Sequence, residues 1–460
     1  MENQILEVLA RQKAALLRLS TSSVTDRIEK LRKIERYLMQ HKEDLCDALY
    51  VDFKKPASEV VIAEMLGVKR EIQHTIKHLK SWMKPQSVAT PLMLLGTKGL
   101  VHYEAKGLCL IISPWNYPFN LSICPLVHAI AAGNAVILKP SELSPATSSF
   151  IQKMISSLFD LSEVAVFEGD ASISTFLLEQ KFDHIFFTGS PAIGKVVMAA
   201  AAKHLTSVTL ELGGKSPAIV GPEINVEEAA AKIAWGKFLN NGQTCIAPDY
   251  VLLEPSIQEE FIQELQSAAQ TQFSNPEELT GPIDERQLEY WQHLVSDALD
   301  RGAKVIPLLN NPGAGARPFE PVVLTNVPPE ARVLHEEIFG PVLPIVSVAD
   351  TSAAIDYVNN KPNPLALYWF GKDKKNMKRV LSETRSGGVT VNDTLLHITI
   401  EDLPFGGVGA SGMGSYHGKA GFDTFSHQKS ILEVRGFFGL NFFKGTKTAR
   451  PPYGKMTEWL

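Results

Sequence analysis

GLCLIISPWNYPFNLSICPLVHAIAAGNAVILKPSE, residues 107 to 142, runs from Gly107 to Leu138 without one Asp, Glu, Lys or Arg. So long an uncharged stretch is either a membrane span or the interior of a folded domain. A spanning helix needs ~20 predominantly apolar residues, and Pro114, Asn116, Pro118, Asn120 and Pro125 interrupt this one. A buried strand, a loop and a buried helix fit better, and AVILK, 135 to 139, supplies the next strand.

Outward from there the alternation continues. Strands are expected near 107 to 113, 135 to 139, 164 to 168, 184 to 188 and 207 to 212, with helices near 121 to 132, 145 to 158, 172 to 180 and 192 to 204. This is the pattern of an α/β fold with a doubly wound, mostly parallel sheet. A second alternating series, from a strand at 217 to 220 through one at 388 to 392, predicts a second α/β domain. The first 80 residues read as helical, with charges three and four apart in DRIEKLRKIERYLMQHKEDL and no turn-rich break before Lys84-Pro85. Apolar runs on either side of Gly96 to Gly99 predict a projecting hairpin over 85 to 106.

Composition narrows the function. The chain of 460 residues is long enough for two or three domains. Its 45 Lys and Arg against 50 Asp and Glu give no electrostatic reason to expect nucleic acid or an anionic membrane. The four cysteines, Cys46, Cys109, Cys124 and Cys245, have neither CxxC spacing nor nearby histidines, so no disulfide framework and no metal site are expected. MENQILEVLARQKAALLRLS mixes charges into a helical pattern and lacks the features of a signal peptide, so a cytoplasmic location and no transmembrane anchor are expected. RGFFGLNFFKG, 435 to 445, is apolar but too short to span, and is a candidate surface for a membrane or a partner.

Ligands of doubly wound sheets bind at the carboxyl ends of strands. Those ends carry Pro114-Trp115-Asn116, Lys139-Pro140-Ser141-Glu142, Thr188-Gly189-Ser190 and Glu211-Leu212-Gly213-Gly214. FTGSPAIGK, 187 to 195, places Gly189 and Gly194 where backbone N–H groups at a helix start approach a phosphate. The GxGxxG pattern is absent, and a plain strand-to-helix turn explains the stretch equally well. Glu211, inside an apolar strand, is either an edge carboxylate reaching water or a buried one whose pKa rises as a general base requires.

Cys245 lies in NNGQTCIAP, 240 to 248, a loop of small and amide side chains that is a poor place to hide a thiol. A free cysteine is usually a small buried hydrophobe, which suits Cys109 and Cys124 better. Both the Glu211 and the Cys245 loops can converge on the boundary between the domains, where a nucleophile and a base would face each other. Asn116 offers a side-chain N–H to an oxyanion, or is a turn asparagine between prolines. His128, His335 and His397 read as structural.

Taken together, PWNYPF (114 to 119), LKPSE (138 to 142), FTGS (187 to 190), LELGGKSP (210 to 217), GQTC (242 to 245), EEIFGPV (336 to 342) and PFGGVGASGMG (404 to 414) resemble the aldehyde dehydrogenases over nearly the whole chain. The sequence is most similar to the class 3 and fatty-aldehyde branch, without the long apolar C-terminal helix of its membrane-anchored members. The resemblance implies oxidation of an aldehyde to a carboxylic acid with NAD or NADP, and no metal. Cys245 would be the nucleophile, Asn116 with the Cys245 backbone N–H the oxyanion hole, and Glu211 the base for deacylation. Lys139 and Glu142 would meet the adenosine ribose, Gly189 and Ser190 the pyrophosphate, with Thr188, Gly194 and Leu212 beside them. Glu337 and Phe339 would meet the nicotinamide ribose and ring. Tyr117, Trp235, Leu239 and Ile398 would line an apolar entrance for medium-chain aliphatic or aromatic aldehydes.

The implied division is an NAD(P)-binding domain of 1–84 and 105–212, a catalytic domain of 213–395, an oligomerisation element of 85–104 and 396–445 that makes a homodimer, and a tail of 446–460. Glu142 should repel a 2′-phosphate and Lys139 attract one, so cofactor preference stays open. A free thiol titrates near ~8.5, so a local lowering of the Cys245 pKa is expected. A CoA-acylating enzyme of the same fold would not need Glu211. A non-catalytic relative would not keep every matched position.

Overall fold

The computed structural model describes residues 1–91, 94, 96–273, 275–309 and 319–434, so RGFFGLNFFKG and the 446–460 tail lie outside the described residues. A six-stranded sheet runs in the order Gly412–Met413, Ser207–Leu212, His184–Gly189, Leu108–Ile112, Ala135–Lys139, Val164–Val166. All its pairs are parallel except that of Gly412–Met413 with Ser207–Leu212.

The uncharged segment behaves as its composition demands. Successive side chains of a strand point to opposite faces, so Leu108 and Leu110 join a core with Ile5, Leu9, Leu19 and Val197, from the helices Glu2–Ser20 and Pro191–Ala202. Cys109 and Ile111 join another with Ile123, Val127, Ile151 and Met154, from the helices Asn120–Ala132 and Pro145–Leu158. With both faces covered, neither has use for a polar residue. Strand order reverses at Leu108–Ile112, whose neighbours are Ala135–Lys139 and His184–Gly189. The crevice beyond these carboxyl ends is where such sheets bind ligands.

A seven-stranded sheet follows in the order Lys304–Pro307, Val322–Thr325, Val342–Ser347, Tyr250–Leu253, Pro217–Val220, Ala366–Phe370, Gly388–Val391. Only its first pair is antiparallel. The two sheets are joined at Gly213–Ser216, directly after the strand that carries Glu211. A third, antiparallel sheet pairs Gln86–Val88 with Thr97–Ala105, and Thr97–Ala105 along its length with Ser426–Val434.

Two findings depart from the sequence expectation. The N-terminal 80 residues are not one helical run: the helices Glu2–Ser20, Val24–Gln40 and Lys42–Phe53 are separated, and the chain turns at Lys54 (φ +58°) before a π-helical Val60–Met65 and the helix Leu66–Trp82. Ser23 and Asp26 form a reciprocal cap at one break, and Pro56, which cannot continue a helix, follows another. The second concerns Gly412, placed by sequence in the bridging segment. It pairs opposite Glu211 on the edge of the six-stranded sheet. At φ +149°, with a Cβ there colliding with the Leu210 carbonyl, only glycine fits. No helix of the described residues is long and apolar enough to cross a membrane.

Candidate active site

The helix Val226–Phe238 runs into a 3₁₀ turn, Leu239–Gly242, in which Asn240, Asn241 and Gly242 all have positive φ, +53°, +52° and +75°. Asparagine tolerates that conformation better than most residues and glycine takes it freely. Gly242 has a second constraint, since a Cβ there would collide with the Gly340 carbonyl. Gln243 then pins the turn: its Nε2 donates to Asn240 O (3.0 Å) and Gly281 O (2.9 Å), and its Oε1 accepts from Ile283 N (3.1 Å). The run of amide side chains is the scaffold that presents the thiol.

Cys245 is partly exposed at this turn. Thr244 Oγ1 lies 2.7 Å from Tyr117 Oη on one side, and the Ile246 carbonyl accepts from Tyr368 Oη (2.5 Å) on the other. Asn116, buried after Leu108–Ile112, donates from Nδ2 to Gln243 O (3.1 Å), two residues before the thiol. Glu211 is buried next to the end of its strand, Ser207–Leu212, and neither carboxyl oxygen has a hydrogen-bond partner. Burial alone raises its pKa well above the ordinary carboxylate range.

The electrostatics correct one expectation. The Cys245 thiol is not lowered but pushed up to about 12, by burial first and then by the negative charges of Glu337 and Glu211; the backbone N–H groups of Cys245 and Ile246 act in the opposite direction. Loss of hydration and two neighbouring carboxylates outweigh two amide dipoles. Those carboxylates also place Glu211 and Glu337 near Cys245, the first as the two loops imply and the second as the family resemblance implies.

Glu337 is held by a network that sequence reasoning missed. Lys215 pairs with Asp249 and donates to the carbonyls of Val333 and Glu336, both at 2.8 Å. Asp249 accepts from Ile338 N (3.0 Å), and Tyr290 Oη donates to Glu337 O (2.9 Å). Burial and Asp249 raise the Glu337 carboxyl to about 8, against the Gly214 N–H and the cations Lys215 and Lys237. Phe339, at φ +48°, sets its ring edge-on to Trp115 at 5.4 Å, joining the two halves of the site. Lys215 stands in the quoted LELGGKSP, but nothing in the pattern tells a buried lysine from a surface one.

Along the crevice, Lys139 is buried, donating to Pro140 O (2.8 Å) and facing Glu142 at 3.4 Å. The Thr188 hydroxyl is buried without a partner, and Ser190 caps the helix Pro191–Ala202. Gly194 packs against Leu212, where a Cβ would come within 2.7 Å. Gly213 lies against the Glu337 carboxylate, so a side chain there would displace that carboxylate. An unpartnered hydroxyl, bare glycine backbone and a capped helix start fit a dinucleotide with its phosphates at the helix. Trp235, Leu239 and Ile398 are partly buried on the core that also supports Cys245 and Trp115. His128 lies instead by Glu71 (3.5 Å), His335 on Pro329 O (2.6 Å) and His397 on Thr390 (2.8 Å). Among the described residues, no three His, Cys, Asp or Glu side chains are grouped to hold a metal.

A thiolate, not a thiol, is alkylated, so iodoacetamide should modify Cys245 slowly at neutral pH and faster as pH rises toward about 12. Glu337, raised to about 8, repels the thiolate only when it is ionised above that pH. Glu337→Gln should therefore move the alkaline part of the rate profile to lower pH, and an unmoved or higher profile would contradict this electrostatic reading.

Residues 2–431 match the aldehyde dehydrogenase family. A putative aldehyde dehydrogenase AldX of Bacillus subtilis is 43% identical over 94% of this chain and 99% of its own. A dimeric NADP-preferring aldehyde dehydrogenase of Canis lupus familiaris is 41% identical over 99% of this chain and all of its own. The substrate-bound structure of Staphylococcus aureus AldH superposes with a TM-score of 0.92 at 36% identity, covering 99% of this chain and 98% of that one. With the thiol loop, the buried glutamate and the dinucleotide crevice in one site, the chain belongs to the aldehyde dehydrogenase family and oxidises aldehydes to carboxylic acids with NAD or NADP.

Proposed function

We propose that Cys245 is the nucleophile, Asn116 and the Cys245 backbone N–H the oxyanion donors, and Glu211 the base that hydrolyses the acyl-enzyme. The observation that carries this reading is the Glu211 carboxylate, buried with both oxygens unbonded and close enough to raise the Cys245 thiol. Cys245 Sγ attacks the aldehyde carbon as its proton is lost to solvent, and the charge that forms on the carbonyl oxygen is stabilised by hydrogen bonds from the Asn116 amide and the Cys245 N–H. A nicotinamide bound against Glu337 and Phe339 supplies the hydride acceptor. Cys245 is left as a thioester. Glu211 in its ionised form then takes a proton from water as that water attacks the thioester carbon; the carbon–sulfur bond breaks and the acid leaves.

Lys139 and Glu142 are assigned to the adenosine ribose, Thr188, Gly189 and Ser190 to the phosphates, with Gly194 and Leu212 packing beneath them. Residues 1–84 and 105–212 form the cofactor unit and 213–395 the catalytic unit in this reading. Tyr117, Trp235, Leu239 and Ile398 form an apolar approach suited to medium-chain aliphatic or aromatic aldehydes. All four cysteines are unpaired in the fold, which suits a reducing compartment, and the cytoplasm is the location proposed.

The mechanism separates into stages that one substitution tests. Glu211→Gln keeps the shape and removes the base, so steady-state turnover should fall ~10²- to 10⁴-fold. Rapid mixing should still show a burst of reduced cofactor of up to one equivalent per site, with an acyl adduct on Cys245 by intact mass; Cys245→Ala should show neither. A Glu211→Gln enzyme without burst or adduct would place Glu211 before hydride transfer and overturn the deacylation role.

The three-stranded sheet supports a dimer. Val88, Leu432 and Val434 are exposed on it, and among the described residues Ser426–Val434 is an edge strand of the sheet. Exposed apolar edges are surfaces for association, and the canine relative bears the name of a dimer. Sedimentation should give a dimer for the full chain and a monomer for one truncated after residue 430. A full-length monomer would contradict the assignment.

A further inference from the structure

Lys55 and Glu64 are wholly buried and pair at 2.9 Å. Lys55 follows the break after the helix Lys42–Phe53, and Glu64 sits in the π-helical Val60–Met65. A buried ion pair is a poor source of stability, because desolvation of both charges offsets their attraction unless the remaining donors and acceptors are used. Here they are used on the segment that carries Asn116. Lys55 Nζ donates to Asn116 O at 3.0 Å and stands 4.1 Å from the centre of the Tyr117 ring. Glu64 Oε2 accepts from Asn120 N at 2.8 Å.

The opposite side of the same carbonyl is also held. Asn240 Nδ2 donates to Asn116 O (3.0 Å) and to Gln243 O (2.9 Å), and Asn116 Nδ2 donates to that Gln243 carbonyl at 3.1 Å. The backbone of Asn116 is thus fixed between a charged donor and the loop that ends in Cys245. Nearby Glu59 accepts from Thr280 Oγ1 (3.0 Å), and burial raises its carboxyl against the pull of the Lys55 cation. The hydrogen bonds of Lys55 go to Glu64 and Asn116.

We propose that the Lys55–Glu64 pair is a positioning device for Asn116, holding its backbone so that the side-chain N–H is presented to the oxyanion formed on a substrate at Cys245. The proposal rests on the assignment of Asn116 as oxyanion donor. Neither Lys55 nor Glu64 touches substrate in this account; both act through the geometry of the Asn116 carbonyl.

The test neutralises both partners at once, Lys55→Met with Glu64→Gln, so that no single charge is stranded. The readout is the rate of the reduced-cofactor burst with benzaldehyde and saturating cofactor. Misplacement of a catalytic group by about 1 Å costs up to ~10²-fold, so the burst should slow by roughly 10- to 100-fold with little change in KM. In an Asn116→Ala background the same replacements should change the burst by no more than about twofold, the limit expected where a shared route has already been removed. Asn240→Gly, which suits φ +53° and strands no charge, should slow the burst less and be equally silent in Asn116→Ala. It decides the matter if the pair variant does not fold. A wild-type burst in the pair variant, or a loss of equal size with and without the Asn116 side chain for the folded variant, overturns the positioning role. Asn116→Ala bursting at the wild-type rate by itself overturns the oxyanion assignment beneath it, and is seen separately.

Discussion

Burying a carboxylate with nothing to bond it is among the costlier arrangements a protein can hold, and Glu211 is in that condition, shut from water with both oxygens unpartnered. Several features of the fold are explained by keeping it there. Its strand is the last parallel member of the six-stranded sheet and passes within four residues into the seven-stranded one, so Glu211 sits where the two sheets meet. The Gly412 segment returns to close the strand's outer edge, approaching so near the Leu210 carbonyl that no side chain fits. The carboxyl is thereby enclosed by protein on the side of that edge.

Partial burial and the neighbouring carboxyl groups set the state of the thiol. Cys245 rests protonated because burial and two carboxylates act on it together. A thiol held that high is poorly reactive toward stray electrophiles, and in the proposed mechanism it gains its reactivity where Asn116 and its own backbone N–H stabilise the oxyanion that its attack forms. Around it the buried cations hold backbone: Lys215 fixes the turn that carries Glu337, and Lys55 fixes the turn that carries Asn116. Each lysine donates to main-chain carbonyls as well as to its carboxylate partner. The site's precision then comes from elements far apart in sequence that converge on three short turns.

What the sequence makes legible follows from physics that is local. The uncharged run from Gly107 to Leu138 could only be interior, and its strands and helix are found as expected. The amide-rich loop around Cys245 was conspicuous because such residues have little use in a core. The break at Lys54–Pro56 was missed because paired lysines look like one more exposed helical turn, and the burial of Lys55 depends on contacts with Asn116 and Glu64 that no window of sequence contains. The Gly412–Met413 pairing is too short to leave a period of two. Glu337 became visible only through family resemblance, since its turn is shaped by Lys215 and Asp249, 122 and 88 positions before it. The direction of the Cys245 shift was misjudged for a related reason: backbone dipoles are implied by a loop, whereas the desolvation and the two acidic neighbours arise only in three dimensions.

The central claim is that Glu211 is a buried, unbonded carboxyl whose proton affinity lies well above that of an ordinary glutamate. Isotope-edited infrared titration reads it directly, by comparing the carboxyl band of the wild-type protein with that of Glu211→Gln as pH is raised. The account predicts a protonated Glu211 carbonyl band, absent from the variant, that persists well above the ordinary carboxylate range before giving way to ionised carboxylate. A Glu211 already ionised at the pH where surface glutamates ionise would contradict it.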